Sequence, residues 1–182
     1  MRKTLMAGLL LAVSGSALAM GQNNYNSLGA YLDSREAGTG VSLAGSFLIT
    51  PDVYGFGSYS ILSDSPVDTD ILRLGVGMNL PINTQIQGLS FLADLAYLRA
   101  DVDVDGAGRG GKGSGLDLRG GAHYVLDRHW KFGGFLGIRT GDFDDVYIGG
   151  DVRYWFQPKL QAYLGLDLSD NDGIFAGLEF LY

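Results

Sequence analysis

The sequence predicts an all-β fold, an antiparallel up-and-down barrel that crosses a membrane with its strands. Three observations predict it. Ten short runs of alternating apolar and polar residues follow a basic, apolar leader. A period of two gives a strand one greasy and one wet face. No later stretch approaches the ~18 uninterrupted apolar residues of a spanning helix. Aromatic residues gather at one end of the runs, and the last run finishes on Tyr182. Alternating segments with an aromatic belt are the signature of a membrane barrel.

The leader comes first. Met1-Arg2-Lys3 is basic, Leu5 to Val13 is mostly apolar, and Ala17-Leu18-Ala19 is a small-x-small cleavage site. Residues 1–19 read as a secretory signal peptide and 20–182 as one barrel domain. No Cys occurs, so disulfides and thiolate metal sites are excluded.

The runs are 23–33, 41–50, 53–62, 71–80, 86–99, 115–126, 130–140, 145–156, 160–168 and 174–182. The later ones are clearest. Leu116, Leu118, Gly120, Ala122 and Tyr124 oppose Asp117, Arg119, Gly121 and His123. Trp130, Phe132, Leu136 and Ile138 oppose Lys131, Gly133 and Arg139. Val146, Ile148, Val152 and Tyr154 oppose Asp151 and Arg153. Leu160, Leu164, Leu166 and Leu168 oppose Gln161, Tyr163 and Asp167. The run 53–62 is ambiguous, because Tyr54/Phe56 and Tyr59/Ile61 fall on opposite faces. Two weak early runs leave eight strands as the alternative count. The 29 glycines, spread through the runs, give bulky inward side chains room.

Short connections at 51–52, 81–85, 127–129 and 157–159 alternate with Asp- and Gly-rich stretches at 34–40, 63–70, 101–115, 141–145 and 169–173. That alternation fits short inner turns and longer outer loops. A soluble sandwich also alternates. The aromatics Trp130, Phe132, Tyr154, Phe156, Phe180 and Tyr182 and the mid-strand charges of both signs favour the barrel.

Loss of the leader takes the formal charge from −7 to −9. The five Asp-rich stretches hold twelve acids and three bases, Arg35, Arg109 and Lys112, which accounts for the whole excess. The remaining charges balance. Arg73, Asp94, Asp117, Arg119, Lys131, Arg139, Asp151, Arg153, Asp167 and Glu179 lie on the polar face, with His123, Tyr147, Trp155 and Tyr163 among them. Charges buried in a narrow lumen must pair.

The last run resembles the C-terminal strand of the small outer-membrane β-barrel proteins of Gram-negative bacteria, of the OmpA/OmpX-like or porin-like kind. Gly177-x-x-Phe180-x-Tyr182 is similar to their insertion signal, although Phe175 stands where that signal opens on a polar residue. The resemblance implies outer-membrane insertion, with the barrel-assembly machinery and periplasmic chaperones as partners during biogenesis. It does not choose among adhesion, structural, pore and enzyme members. The acidic crown faces lipopolysaccharide, itself anionic, so direct contact needs Mg²⁺ or Ca²⁺ bridges, the alternative being that the loops are simply solvated.

Catalytic and cofactor motifs are incomplete. Asp101-x-Asp103-x-Asp105-Gly106 opens like a calcium loop, but the twelfth position is Lys112 rather than Glu. Gly106–Gly111 with Lys112 approaches a phosphate loop, but Gly113 replaces the required Ser or Thr. His123 and His129 are the only histidines. Barrel lipases and acylases use a His-x-Ser pattern, and here Tyr124 and Val125 follow His123. A lipid-modifying activity therefore requires a Ser brought beside His123 by the fold. The sequence predicts no enzyme, no cofactor, no metal and no nucleic-acid partner. It predicts a structural or surface-interaction barrel with a plugged or very narrow lumen, the alternative being a passive narrow pore.

Overall fold

A computed structural model describes residues 25–80, 86–104, 110–169 and 172–182. Residues 1–24, 81–85, 105–109 and 170–171 lie outside them. Ten strands occur among the described residues: β1 (Ser27–Arg35), β2 (Gly38–Leu48), β3 (Val53–Asp64), β4 (Val67–Leu80), β5 (Leu89–Val104), β6 (Gly111–Val125), β7 (Trp130–Arg139), β8 (Asp145–Gln157), β9 (Leu160–Leu168) and β10 (Gly173–Leu181). Each pairs antiparallel with its sequence neighbours, and β10 pairs with β1 to close the barrel. The closing register runs from Ser27↔Leu181 to Arg35↔Gly173. The count is ten rather than eight.

The wall is inverted relative to a soluble protein. Large apolar side chains point outward and stand exposed, among them Leu32, Leu74, Val76, Leu118, Leu136, Ile148, Leu166 and Leu178. Charged residues point inward and are buried, including Asp33, Asp94, Asp117, Asp151 and Glu179. Register resolves the ambiguous third run. Tyr54 is buried and Phe56 faces the lumen, while Tyr59 and Ile61 are exposed.

The Asp-rich stretches are not long loops. Segments 63–64, 67–70, 101–104 and 111–115 continue β3, β4, β5 and β6, and the first two outer connections are only Glu36-Ala37 and Ser65-Pro66. The expected alternation of connection length therefore fails along β1 to β4, where the outer connections have two residues each and the inner one has four. Its place is taken by strand extension, because Asp, Ser and Gly lose nothing by pairing in water. Along β4 the outward residues change from Met78, Val76 and Leu74 to Asp70 and Asp68. Along β5 they change from Leu95 and Tyr97 to Arg99, Asp101 and Asp103. The inward residues change the opposite way, to Ile71, Leu98, Ala100 and the fully buried Leu62. This crossover marks where the lipid-facing wall ends and the water-facing extension begins.

At the other end, aromatic rings form a belt. Trp130 lies 6.2 Å from Phe132 and 4.7 Å from Tyr154, whose ring is 5.6 Å from Phe156. Amphipathic rings suit the membrane interface. Asp127 shapes the turn between β6 and β7. Its carboxylate accepts the backbone N–H groups of His129 (2.7 Å) and Trp130 (2.9 Å), which hold its carboxyl below the usual carboxylate range.

β10 carries bonds to both neighbours up to its last residues. Phe180 opposes Leu28 on one side and Leu160 on the other, and the Tyr182 N–H donates to the Asn26 carbonyl at 3.1 Å. Deleting Phe180–Tyr182 removes the end of both ladders and leaves unpaired groups in lipid. The truncated chain is expected to lose the gel-mobility shift between folded and heated barrel in detergent. A normal shift would show that these residues are dispensable for closure.

Candidate functional site in the barrel lumen

The inward positions build a repeated four-part stack. The first part is glycine. On the lumen face Phe56 opposes Gly75, Tyr54 opposes Gly77, Phe135 opposes Gly149, Tyr147 opposes Gly137 and Tyr31 opposes Gly177. A Cβ on any of these glycines would lie under 3 Å from the opposing ring. The rings lie flat against the wall because the wall has no side chain there.

The second and third parts are a ring and a guanidinium. Arg73 sits 4.6 Å from the Phe56 centroid, Arg119 4.9 Å from Phe135, and Arg139 4.1 Å from Tyr147. Arg35 sits 4.7 Å from Phe175 and Arg153 5.2 Å from Tyr163. A guanidinium over an aromatic face is attracted by the ring quadrupole, more so when desolvated.

The fourth part is a carboxylate. Arg119 donates through Nε to Asp94 at 2.8 Å, and Tyr54 donates to the same carboxylate. Arg73 Nε donates to Asp117 at 2.8 Å, and Tyr147 donates to that group's other oxygen at 2.6 Å. Arg139 bridges Asp145 (3.0 Å) and Asp167 (2.6 Å). Arg153 holds Asp151 (2.9 Å) and approaches Glu179 (3.6 Å), which also accepts from Tyr31 (2.6 Å) and Gln161. Charge-assisted bonds of this kind exceed neutral ones.

The sequence-predicted lumen charges, with His123, Tyr147 and Tyr163, lie on the inner face. The pairings were not readable, because Arg73–Asp117 and Arg139–Asp167 each skip a strand. Sequence reasoning also missed members. Arg35 and Asp145, assigned to outer connections, point into the lumen, where Arg35 holds Asp33 at 2.9 Å. Period two could have found them, since Arg35 continues the Tyr31–Asp33 face. Trp155 stands at an irregularity in the β8–β9 register instead.

The wall of β1 to β3 is different. Ser27, Ser42, Ser46, Ser58 and Ser60 face the ionic wall across a cavity of about 470 Å³. Ser42 donates to Asp33 at 2.7 Å. Residues of all ten strands line this space. It reaches from Tyr25 and Lys131 at the aromatic-belt end to Asp142 and Phe143 at the acidic end.

The fold does place a serine beside His123. Ser90 is its register partner on β5, and Asp151 lies 3.7 Å from His123 Nε2 across Gly133. Among the described residues His123 Nδ1 has no hydrogen-bond partner.

No family model matches the chain, and no curated protein sequence matches it. The fold is similar to solved outer-membrane barrels. The KdgM porin superposes with a TM-score of 0.53 at 11% identity, covering 86% of this chain and 99% of that one. The NanC porin gives 0.51 at 12%, covering 85% and 100%. These likenesses assign the chain the closed-barrel fold of outer-membrane proteins.

Arg119→Ala strands the fully buried Asp94 carboxylate and is expected to cost about 3–5 kcal/mol. Thermal melting in detergent checks it, and Asp94→Asn in the Arg119→Ala background should recover part of the loss. No change in melting on Arg119→Ala would show the pair to be dispensable. A second test compares glycines. Gly137→Val drives a methyl into Tyr147 and should cost about 1–3 kcal/mol. Gly134→Val, on the outward face with nothing within 4 Å, should not destabilise. Equal effects would reject the ring-seat account.

Proposed function

We propose that the protein is an integral outer-membrane barrel whose lumen is a narrow aqueous path for passive movement of small hydrophilic solutes. The single observation that carries this is the cavity of about 470 Å³, bounded by residues of all ten strands and reaching towards both ends. Barrels of about eight strands leave an interior just wide enough for side chains. Here ring-on-glycine packing flattens the side chains to the wall and leaves space.

The charges support a path with a fixed lining rather than a plug. Each lumen arginine is held by at least one carboxylate and one ring, so none needs to reach across the space. The outward lipid-facing belt and the C-terminal strand support membrane insertion, with lipid as the surrounding partner and the assembly machinery as the route. The acidic extension fits contact with lipopolysaccharide through divalent cations. On its outer face Asp68 opposes Asp103, where like charges repel, and Asp70 opposes Asp101, which Arg99 (3.3 Å) and Lys112 (3.6 Å) pair.

Purified protein in a planar bilayer is expected to carry a small, steady current in potassium chloride. A folded barrel with no current would leave the closed structural barrel as the better reading. Orientation is checked separately. Cysteine at Asp103 should react with an impermeant maleimide on intact cells. Cysteine at Arg128 should react only after the outer membrane is opened. The reverse pattern would invert the topology.

A further inference from the structure

We infer that the outer face of β6 to β8 binds one anionic phospholipid of the leaflet at the belt end, with its phosphate at Arg128 and Lys159 and its tails in a groove over Gly120, Ala122, Gly134 and Gly150. The inference concerns the outside of the wall and holds whether or not the lumen conducts.

The lipid-facing positions of these three strands are large above and below and small in the middle. On β6, Gly120 and Ala122 lie between Leu118 and Tyr124. On β7, Gly134 lies between Leu136 and Phe132, and on β8 Gly150 lies between Ile148 and Val152. Register sets the small residues side by side, with Ala122 opposite Gly134 and Gly134 opposite Gly150. A Cβ added to Gly120 or Gly134 would have nothing within 4 Å, and one on Gly150 would meet only the Gly133 carbonyl oxygen, at 3.0 Å. The inner-face glycines seat rings, whereas Gly120 and Gly134 seat nothing. Leu118, Leu136 and Ile148 stand exposed and bound the groove towards the acidic end. Towards the belt it opens over the half-buried Val152. An unfilled hollow in hydrocarbon forfeits the dispersion contacts of its lining, so lipid tails occupy it.

The foot of the groove supplies the headgroup contacts. Gly134 stands four residues from Trp130, about 13 Å along the strand. The hydrocarbon of one leaflet is about 15 Å thick, so with Trp130 at the interface the groove lies at tail depth. The Trp130 ring lies 4.7 Å from Tyr154, and the exposed His129 ring lies 5.9 Å from Tyr154 on a near-parallel plane. The Trp155 N–H donates to the His129 carbonyl at 2.8 Å, which ties the turn after β6 to β8. Arg128 lies in that turn and Lys159 in the turn after β8. Among the described residues neither forms an ion pair, while the lumen arginines do. The acid beside them, Asp127, accepts from the His129 and Trp130 N–H groups. Two uncommitted cations at headgroup depth favour a headgroup of net negative charge over a zwitterion, which brings its own cation to the same place.

A second copy of the barrel fits less well. Two convex walls meet along a line, and a stable interface needs about 1,000 Å² or more. A flexible tail fills a hollow that a convex wall would bridge.

The test uses the whole protein in phosphatidylcholine vesicles with a minor fraction of phosphatidylglycerol, one or the other lipid carrying brominated tails that quench tryptophan. Trp130→Phe keeps Trp155, the second of the two tryptophans, and gives the background. At low salt, brominated phosphatidylglycerol is expected to half-quench Trp130 at about a tenfold lower fraction than brominated phosphatidylcholine, since each basic side chain at an anionic surface contributes several-fold. Arg128→Gln with Lys159→Gln should abolish that preference, and high salt should weaken it. Gly120→Leu with Gly134→Leu fills the groove. In a barrel that keeps its gel-mobility shift, it should raise the half-quenching fraction of phosphatidylglycerol about fourfold, the size of one lost methylene contact. Equal quenching by the two lipids in the wild type overturns the site, as does a preference that survives the glutamine pair. A cross-linked dimer that the leucine pair abolishes assigns the groove to a second copy and overturns it as well. Should the leucine pair fail to fold, the glutamine pair, placed in the turns, still decides.

Discussion

In hydrocarbon an unpaired backbone N–H or C=O has no water to turn to, so each strand needs a neighbour on both sides. That constraint makes β10 return to β1, and the rest of the structure depends on it. A closed ring of ten strands has an inside that cannot be collapsed away. A soluble sandwich would fill it with the apolar face. Here the apolar face is claimed by lipid, and the polar face must satisfy itself within the ring.

Glycine solves the geometric part of that problem. Tyr147 over Gly137 and Phe135 over Gly149 lie flat because the opposing strand presents bare backbone. The flattened ring becomes a platform for Arg139 or Arg119, and the guanidinium then holds a carboxylate. Each layer depends on the one beneath it. The stack fixes charges at the wall and leaves a cavity of about 470 Å³ beside them. The same arrangement lets His123 and Asp151 approach each other across β7, where only Gly133 intervenes.

The two ends of the barrel differ for physical reasons. At the belt end the chain turns within a few residues, and Trp130, Tyr154 and Phe156 cluster where an amphipathic ring is favoured. At the other end β3 to β6 continue past the lipid-facing wall and exchange their faces, with acids outside and Leu62, Leu98 and Ala100 inside. Water outside removes the cost of Asp101 and Asp103, while the inward residues recover a small apolar core. The net negative charge of the chain is concentrated on this extension and the loops beside it, away from the paired ions of the lumen.

The sequence by itself determined the fold class, the ten strands to within a few residues, and which residues of most strands face the lumen. Those properties are local, since a period of two is written into neighbouring residues. It did not determine where the strands stop. Asp68 and Asp103 read as loop residues by composition, and they pair as strand because hydrogen bonding to a neighbour is available wherever the register extends. Nor could it assign Tyr54 and Phe56 to the inner face, since both faces of β3 carry aromatics. The partners Arg73–Asp117, Arg139–Asp167 and Arg153–Glu179 and the ring seats on Gly75 and Gly137 were decided only by the tertiary structure. Each depends on the stagger between strands, and barrel closure sets that stagger for all ten strands at once.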